Sequence, residues 1–176
     1  MRLAPHLALG LLCVLAGGCR HQAAATRPSA GAEARWTVYK GAWFEIGCPG
    51  GFTARPSLRS STSEGGYDSA FFAAPDGSVE FYVFSPQWNG EPADIEMDPR
   101  RERLVSQSSR TEGGVTVRRV TVRARDGSWT RSFVDTLDRD ANTRRVFGIR
   151  YRTRSDYDRH RASYLRFKKS LVQYAD

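Results

Sequence analysis

Cysteine, histidine and recognisable catalytic motifs are scarce in this sequence. The 176 residues include three cysteines and three histidines, and Cys48 is the only cysteine after residue 19. No C-x-x-C pair, G-x-S-x-G nucleophile motif, phosphate-binding loop or dinucleotide-binding fingerprint is present. These absences exclude a disulfide within residues 36–176 and predict a protein that is not an enzyme and has no cofactor and no metal site.

Long hydrophobic runs are also missing. The longest, residues 3–15, has about a dozen mostly apolar residues, which is too few to span a bilayer as a helix. It follows Arg2 and precedes three small residues and then Cys19. This order is typical of a secretory signal peptide. A cysteine directly after small residues also resembles the lipobox of bacterial lipoproteins.

The lipobox resemblance implies cleavage before Cys19, a diacylglyceryl group on its sulfur and acylation of the new amine. Ordinary secretion, with Cys19 incidental, is the alternative. Residues 20–35 are rich in alanine and lack bulky apolar side chains, so they are expected to form a flexible tether. The chain is thus predicted to comprise a signal peptide (1–18), a lipidated cysteine with its tether (19–35) and one domain (36–176). Arg20 stands where an inner-membrane retention signal would have aspartate, which implies the outer membrane if the host is Gram-negative.

Charge is distributed unevenly along the predicted domain. Residues 36–98 contain three basic and nine acidic side chains (−6), whereas residues 99–176 contain twenty basic and nine acidic ones (+11). This division favours one cationic face, and seven arginines on neighbouring predicted strands are the candidates for binding an anionic ligand. They are Arg118, Arg123, Arg125, Arg131, Arg144, Arg150 and Arg152. A solvated arginine surface that reflects genome composition alone is the other interpretation.

Hydrophobic periodicity predicts mostly strands, followed by one helix at the end of the chain. Five strands are expected before the proline-rich segment 86–99, and four after it form a meander. A bulge at Arg118–Arg119 would explain the change of apolar parity in the second strand of the meander. A helix is predicted from residue 156 to about residue 173, with a capping box from Ser155 to Asp158. The helix covers one sheet face, so the N-terminal strands are expected to cover the other unless it stays open.

Three stretches together resemble the PsbP-like family. They are W-F-E-I-G-C-P-G-G-F-T at 43–53, the hairpin D-S-A-F-F-A-A-P-D-G-S-V-E-F-Y-V at 68–83, and Y-x-x-F-K-K-S-L-V at 164–172. The resemblance implies an α+β fold in which a central antiparallel sheet of about six or seven strands carries the long C-terminal helix in an α/β/α sandwich. It also implies a non-enzymatic role in assembly or binding.

The proline-rich segment 86–99 is predicted to be a functional loop, because it is the longest irregular stretch. Trp88 and Asn89 are its candidate partner-binding residues, although Trp88 could equally fold back onto the core. The carboxylates of Asp94, Glu96 and Asp98 alternate as in a calcium loop. However, proline follows at the sixth position, where such a loop needs glycine, so no metal site is predicted.

Three functions therefore remain open at this point. The first is a membrane-anchored envelope lipoprotein with a non-catalytic binding or assembly role and a protein partner. The second is a module that binds anionic lipid or glycan through the arginines, whereas nucleic acid is not expected outside the cytoplasm. The third is a hydrolase or thiol enzyme, for which the candidates are a Cys48–His160 dyad or a pair of carboxylates brought together by the fold.

Overall fold

Alternating apolar and polar side chains form ten strands within residues 35–174, the part of the chain that this computed structural model describes. The strands are β1 (Thr37–Lys40), β2 (Phe44–Cys48), β3 (Thr53–Pro56), β4 (Ser69–Ala73), β5 (Val79–Phe84), β6 (Glu102–Glu112), β7 (Val115–Ala124), β8 (Thr130–Asp138), β9 (Thr143–Tyr151) and β10 (Val172–Gln173). One helix, α1 (Arg154–Lys169), precedes β10. The predicted signal peptide and Cys19 lie outside the described residues.

Seven of the strands form one antiparallel sheet in the order β3-β4-β5-β9-β8-β7-β6, and β1, β2 and β10 form a second, small sheet. Helix α1 packs on the large sheet through Tyr164 and Phe167. The predicted α+β class, with a central antiparallel sheet and a C-terminal helix, is confirmed. No helix of the described residues has the length and apolarity needed to cross a membrane.

Apolar residues on both faces of residues 79–84 are the sequence pattern of a central strand covered on both sides, and β5 is such a strand. It pairs with β4 on one side and β9 on the other. Phe81 belongs to the core beneath α1, where its ring lies 5.3 Å from that of Phe167, whereas Tyr82 belongs to a second core on the opposite face. Both side chains are at most 2% exposed, so the two sheet faces need separate covers.

The cover of the second face differs from the expectation. The small N-terminal sheet lies on the same face as α1, because Phe44 and Ile46 pack into the core that contains Phe167. The opposite face is covered instead by the loop 86–101, whose single 3₁₀ turn (Ala93–Ile95) inserts Ile95 beside Tyr82. We call these two sides of the large sheet the helix face and the loop face.

The predicted capping box is wrong by two residues. The N-cap is Thr153, whose hydroxyl accepts a hydrogen bond from the Asp156 backbone N–H at 3.1 Å, while the Asp156 carboxylate accepts one from the Thr153 N–H at 3.1 Å. Asp158 instead pairs with Arg154 one turn earlier at 3.1 Å. The helix begins as soon as the extended strand β9 ends, so the earlier of two overlapping T/S-x-x-D motifs is used.

The predicted bulge in β7 is wrong as well. Strands β7 and β8 pair without a break from Val115 to Arg123, and the register shift lies in β6, between Leu104 and Ser106. Continuous pairing places Val115 on the helix face and Val122 on the loop face, where it is 1% exposed. The parity change in the sequence therefore reflects burial of opposite faces at the two ends of one regular strand.

Candidate binding site

Strand register brings four of the seven predicted arginines to the loop face. Arg131 of β8 lies directly opposite Arg150 of β9, and Arg118 of β7 lies opposite Asp135, which shares its face with Arg144. The other three lie elsewhere. Arg123 is on the helix face, Arg125 is in the β7–β8 turn, and Arg152 directly follows β9.

Arg131 fastens the loop to the sheet. Its Nη1 donates to the carbonyl of Asp94 at 3.0 Å, and its Nη2 donates to the carbonyl of Glu96 at 2.7 Å. Its Nε also lies 2.6 Å from Glu102 Oε1, in an ion pair whose side chains are only 14% and 5% exposed. The charge of Arg131 and hydrogen bonds from both of its Nη groups are therefore used within the protein.

Arg144 holds the first part of the same loop. It donates to both carboxylate oxygens of Asp135, at 3.0 and 2.9 Å, and to the carbonyl of Gly90 at 2.8 Å. Glu91 lies 3.3 Å from its Nη1. The hydrogen bonds that Arg144 donates to Asp135 raise the pKa of Arg144, so this side chain is a permanent cation inside a paired network. Arg118 joins the network through Asp135 at 3.2 Å.

Between the loop and the sheet lies a cleft of about 670 Å³. The β7–β8 turn closes one end of it. Arginines and carboxylates line the cleft in equal number, six of each. Glu80 lies at its centre, 3.5 Å from Arg150 and 4.0 Å from Arg55. The cleft is therefore a neutral surface of alternating charge and not the cationic surface that the arginine pattern predicted.

Aromatic rings form the floor and one wall of the cleft. The guanidinium groups of Arg131 and Arg150 lie 6.0 and 5.9 Å from the Trp129 ring, and that of Arg55 lies 4.5 Å above Phe71. Tyr82 lies beneath, and its buried hydroxyl has no hydrogen-bond partner among the described residues. Burial raises the pKa of Tyr82, and the nearby Asp94 carboxylate adds to the shift, so the phenol stays neutral.

The two candidate residues at the start of the loop lie away from the cleft. Trp88 is 44% exposed, so it does not fold back fully onto the core. The Asn89 side-chain amide donates to Asn142 Oδ1 in the β8–β9 turn. Both therefore lie at the opposite end of the loop face from Trp129.

The acidic residues of the loop serve its attachment. Asp94 accepts hydrogen bonds from the hydroxyls of Ser57 and Ser69, each at 2.8 Å. The Arg100 N–H donates to Asp98 at 2.9 Å. Residues 35–174 hold no group of three or more histidine, cysteine, aspartate or glutamate side chains arranged to bind a metal ion.

No hydrogen bond among the described residues joins Cys48 to His160. Cys48 is 5% exposed, and its thiol points toward the carbonyl of Pro49 at 3.6 Å. Burial raises the pKa of this thiol, which keeps it protonated. His160 lies 3.2 Å from the Ser78 hydroxyl, and burial lowers its pKa.

The partners of the arginines escaped sequence reasoning. Glu80, Glu102 and Asp135 are at most intermediately exposed, yet each stands on a different strand from its arginine. A carboxylate within an otherwise apolar strand, such as Glu80 in β5, is the one sequence signal that could have indicated a buried ion pair.

The fold and the site define an α+β domain with a mixed-charge, aromatic-floored cleft. The chain matches no protein-family model and no curated protein sequence. Among solved structures it is similar to cyanobacterial PsbP (CyanoP) from Synechocystis sp. PCC 6803, with 11% identity, a TM-score of 0.47, and coverage of 85% of this chain and 98% of that one. It is also similar to the Ran-binding protein Mog1p of Saccharomyces cerevisiae, with 9% identity, a TM-score of 0.39, and coverage of 81% and 97%. The α+β fold class of this chain is defined by its own strands and helix, independently of these two similarities.

Proposed function

We propose that this protein is a membrane-anchored lipoprotein of the bacterial cell envelope whose PsbP-like domain binds a protein partner without catalysis. Anchoring is supported by the order of charge, apolar run, small residues and Cys19 at the start of the sequence. Lipidation at two positions on one cysteine would make attachment lasting, since each buried CH₂ contributes about 0.8 kcal/mol.

The observation that carries the binding role is the composition of the cleft. An extended protein segment presents backbone groups, apolar side chains and charges of both signs. The cleft offers matching features, because aromatic rings alternate with arginines and carboxylates along it. Its charges are also held in place before binding: Arg131 by Glu102 at 2.6 Å and Arg150 by Glu80 at 3.5 Å. Such preorganisation lowers the ordering cost of association.

The reactive groups of the domain support a role without catalysis. The thiol of Cys48 is buried and protonated, and His160 lies beside Ser78 at the rim of the core. The cleft carboxylates that lie deepest, Glu80 and Glu102, are each paired with an arginine. A catalytic nucleophile or base has to reach the substrate, whereas the Cys48 thiol is buried and Glu80 and Glu102 each lie against an arginine.

Recognition of anionic lipid or glycan by the loop face receives less support. Of the seven arginines in that prediction, Arg118, Arg131, Arg144 and Arg150 each pair with a carboxylate of the protein. A polyanion would have to displace those carboxylates or add negative charge beside them. The neutral cleft therefore favours a protein segment over a polyanion.

The anchor can be tested separately from the cleft. In its native host, a Cys19→Ser variant is expected to lose the lipid and to move from the membrane fraction to the soluble extracytoplasmic fraction. Lipid anchoring would be refuted if the variant stays membrane-bound and mass spectrometry shows that the N-terminus of the wild-type protein carries no lipid.

The cleft is tested by recovering partners from the envelope. Wild-type and Trp129→Ala proteins are cross-linked in cells and purified, and the bound proteins are quantified by mass spectrometry. A tryptophan at the centre of an interface contributes 2 kcal/mol or more on truncation, so recovery of the partner should fall on the order of 30-fold. Trp43→Ala is the matched control, since the indole N–H of Trp43 donates a hydrogen bond to the Thr62 hydroxyl outside the cleft. Equal recovery from both variants would contradict the assignment.

A further inference from the structure

Five basic side chains gather on the helix face, on the side of the sheet away from the cleft. Strands β7 and β9 and helix α1 contribute them, and we call the set the basic groove: Arg119, Arg145, Arg161, Lys168 and Lys169. Arg145 lies opposite Thr136 in the register of β8 and β9, which fixes it on the face that α1 covers. Within residues 35–174, none of the five forms an ion pair.

The groove between α1 and the sheet has a volume of about 420 Å³ and an apolar floor. Phe147, Leu165 and Leu171 supply that floor, and no acidic side chain lines it. The carboxylate of Asp138, at the end of β8, accepts the N–H groups of its own turn at 3.1 and 3.0 Å. Apolar surface edged by cations is the pattern of surfaces that lie at a lipid interface.

The cations are close enough to repel one another. Burial lowers the pKa of Lys168, and the neighbouring Arg119 and Arg161 add to this shift. On the loop face, by contrast, Arg118, Arg131, Arg144 and Arg150 each have a carboxylate partner within 3.5 Å. An anion seated in the basic groove would relieve this repulsion, so the groove has charge complementarity for an external anionic surface.

The chain enters the domain beside this groove. The Trp36 ring lies 4.4 Å from the guanidinium of Arg166, and Leu165, the next residue back along α1, lines the groove. Sixteen positions separate Cys19 from Arg35 in the sequence. A membrane that holds Cys19 is therefore joined to the domain by a short segment of chain, and this segment enters the domain beside the basic groove.

We propose that the basic groove docks the domain onto anionic phospholipid headgroups of the membrane to which the chain is anchored. This inference rests on the proposed anchoring. Each lysine or arginine near an anionic bilayer contributes about 1 kcal/mol, which is about a fivefold effect on membrane contact per charge. Reversal of one charge should thus change contact on the order of 25-fold.

Lysine footprinting tests the proposal, because the chain has only three lysines, Lys40, Lys168 and Lys169. The full-length lipidated protein is inserted into vesicles of phosphatidylcholine alone or of phosphatidylcholine with phosphatidylglycerol, and amine acetylation is followed by mass spectrometry. Anionic vesicles should slow acetylation of Lys168 and Lys169 about fivefold or more relative to neutral vesicles. Lys40, 74% exposed beside Glu45, is the internal reference. High salt should remove the protection.

Arg145→Glu should abolish the protection, whereas Arg152→Glu, with the same change in net charge outside the groove, should retain it. Equal acetylation on neutral and anionic vesicles would overturn the proposal. Protection by inorganic phosphate alone, without vesicles, would also overturn it, because a small-anion site would then explain the cations. Flotation on neutral vesicles separately reports anchoring. If the wild-type protein fails to float there, anchoring is refuted. Groove docking is then decided by flotation on anionic vesicles, which should be lost at high salt and in the Arg145→Glu variant.

Discussion

Arg131→Met should destabilise the domain strongly, because it leaves a carboxylate buried without its partner. Glu102 is 5% exposed at its side chain and Arg131 14%. Removal of one member of a buried ion pair costs about 3–5 kcal/mol. The change also takes two hydrogen-bond donors from the carbonyls of Asp94 and Glu96. Since small domains have a free energy of unfolding of about 5–15 kcal/mol, the variant should lose about a fifth of its stability or more.

The assay is urea unfolding of the purified chain, followed by tryptophan fluorescence, with Arg150→Met as the matched control. Arg150 stands opposite Arg131 in the sheet and also pairs with a glutamate, but its side chain is 47% exposed. Glu80 is 14% exposed but keeps Arg55 as a second partner at 4.0 Å, so loss of the half-exposed Arg150 should cost less, about 1 kcal/mol. The reasoning would be refuted if Arg131→Met cost no more than Arg150→Met.

A double variant separates the buried charge from the lost hydrogen bonds. Glu102→Gln keeps an acceptor for the Asp98 N–H, which donates to Glu102 Oε2 at 2.8 Å, but removes the charge. The loss in Arg131→Met/Glu102→Gln should therefore be smaller than the sum of the two single losses, by about 1–3 kcal/mol. Additive losses would mean that the two side chains do not interact.

Three further changes test other parts of the structure by the same unfolding assay. Tyr82→Phe removes a buried hydroxyl that has no hydrogen-bond partner within residues 35–174, so the free energy of unfolding should stay unchanged or rise by about 1 kcal/mol; a fall of more than about 1 kcal/mol would show a hidden partner. Gly148→Ala should cost about 1–3 kcal/mol, because the new Cβ would lie 2.6 Å from the Phe133 ring; an unchanged midpoint would contradict this packing. Burial lowers the pKa of His160 below 6.5, so the folded state binds the proton more weakly than the unfolded state. Stability should therefore fall as pH decreases from about 7 to about 5, and His160→Gln should flatten this slope; an equal slope would remove His160 as its cause.

Local pattern was sufficient for most of the fold. The predicted strands match those of the structure to within a residue or two at most ends, because alternation of side chains is set by the strand itself. Strand β5 was recognisable as central, since Phe81 and Tyr82 require cover on both faces. The N-cap was ambiguous because Thr153 and Ser155 begin overlapping motifs, and only the backbone at the end of β9 decides between them.

The electrostatics of the site could not be predicted in the same way. Four of the seven predicted arginines do share one face, but alternation could not show which carboxylates meet them. Those partners stand on other strands, and strand order depends on the whole chain. The loop 86–101 carried a signal in its prolines, yet its docking against the sheet depends on hydrogen bonds from Arg131 and Arg144.

The cations of the basic groove could not be grouped from the sequence, for a related reason. Lys168 and Lys169 suit the C-terminal end of a helix dipole, and this local role gave no reason to group them with Arg119 or Arg145. Only the packing of α1 across the sheet brings them together. The two faces of the sheet therefore differ in a way that net charge along the sequence does not reveal.

The most direct test of the account is photo-cross-linking from the cleft in living cells. A photoreactive phenylalanine analogue is placed at Trp129 and, as a control, at Trp43, in the native host. The account predicts a recurrent protein adduct from position 129 that is absent from position 43, with the cross-linked peptide of the partner identified by mass spectrometry. No protein adduct at position 129, or the same adducts from both positions, would contradict the conclusion that the cleft binds a protein partner.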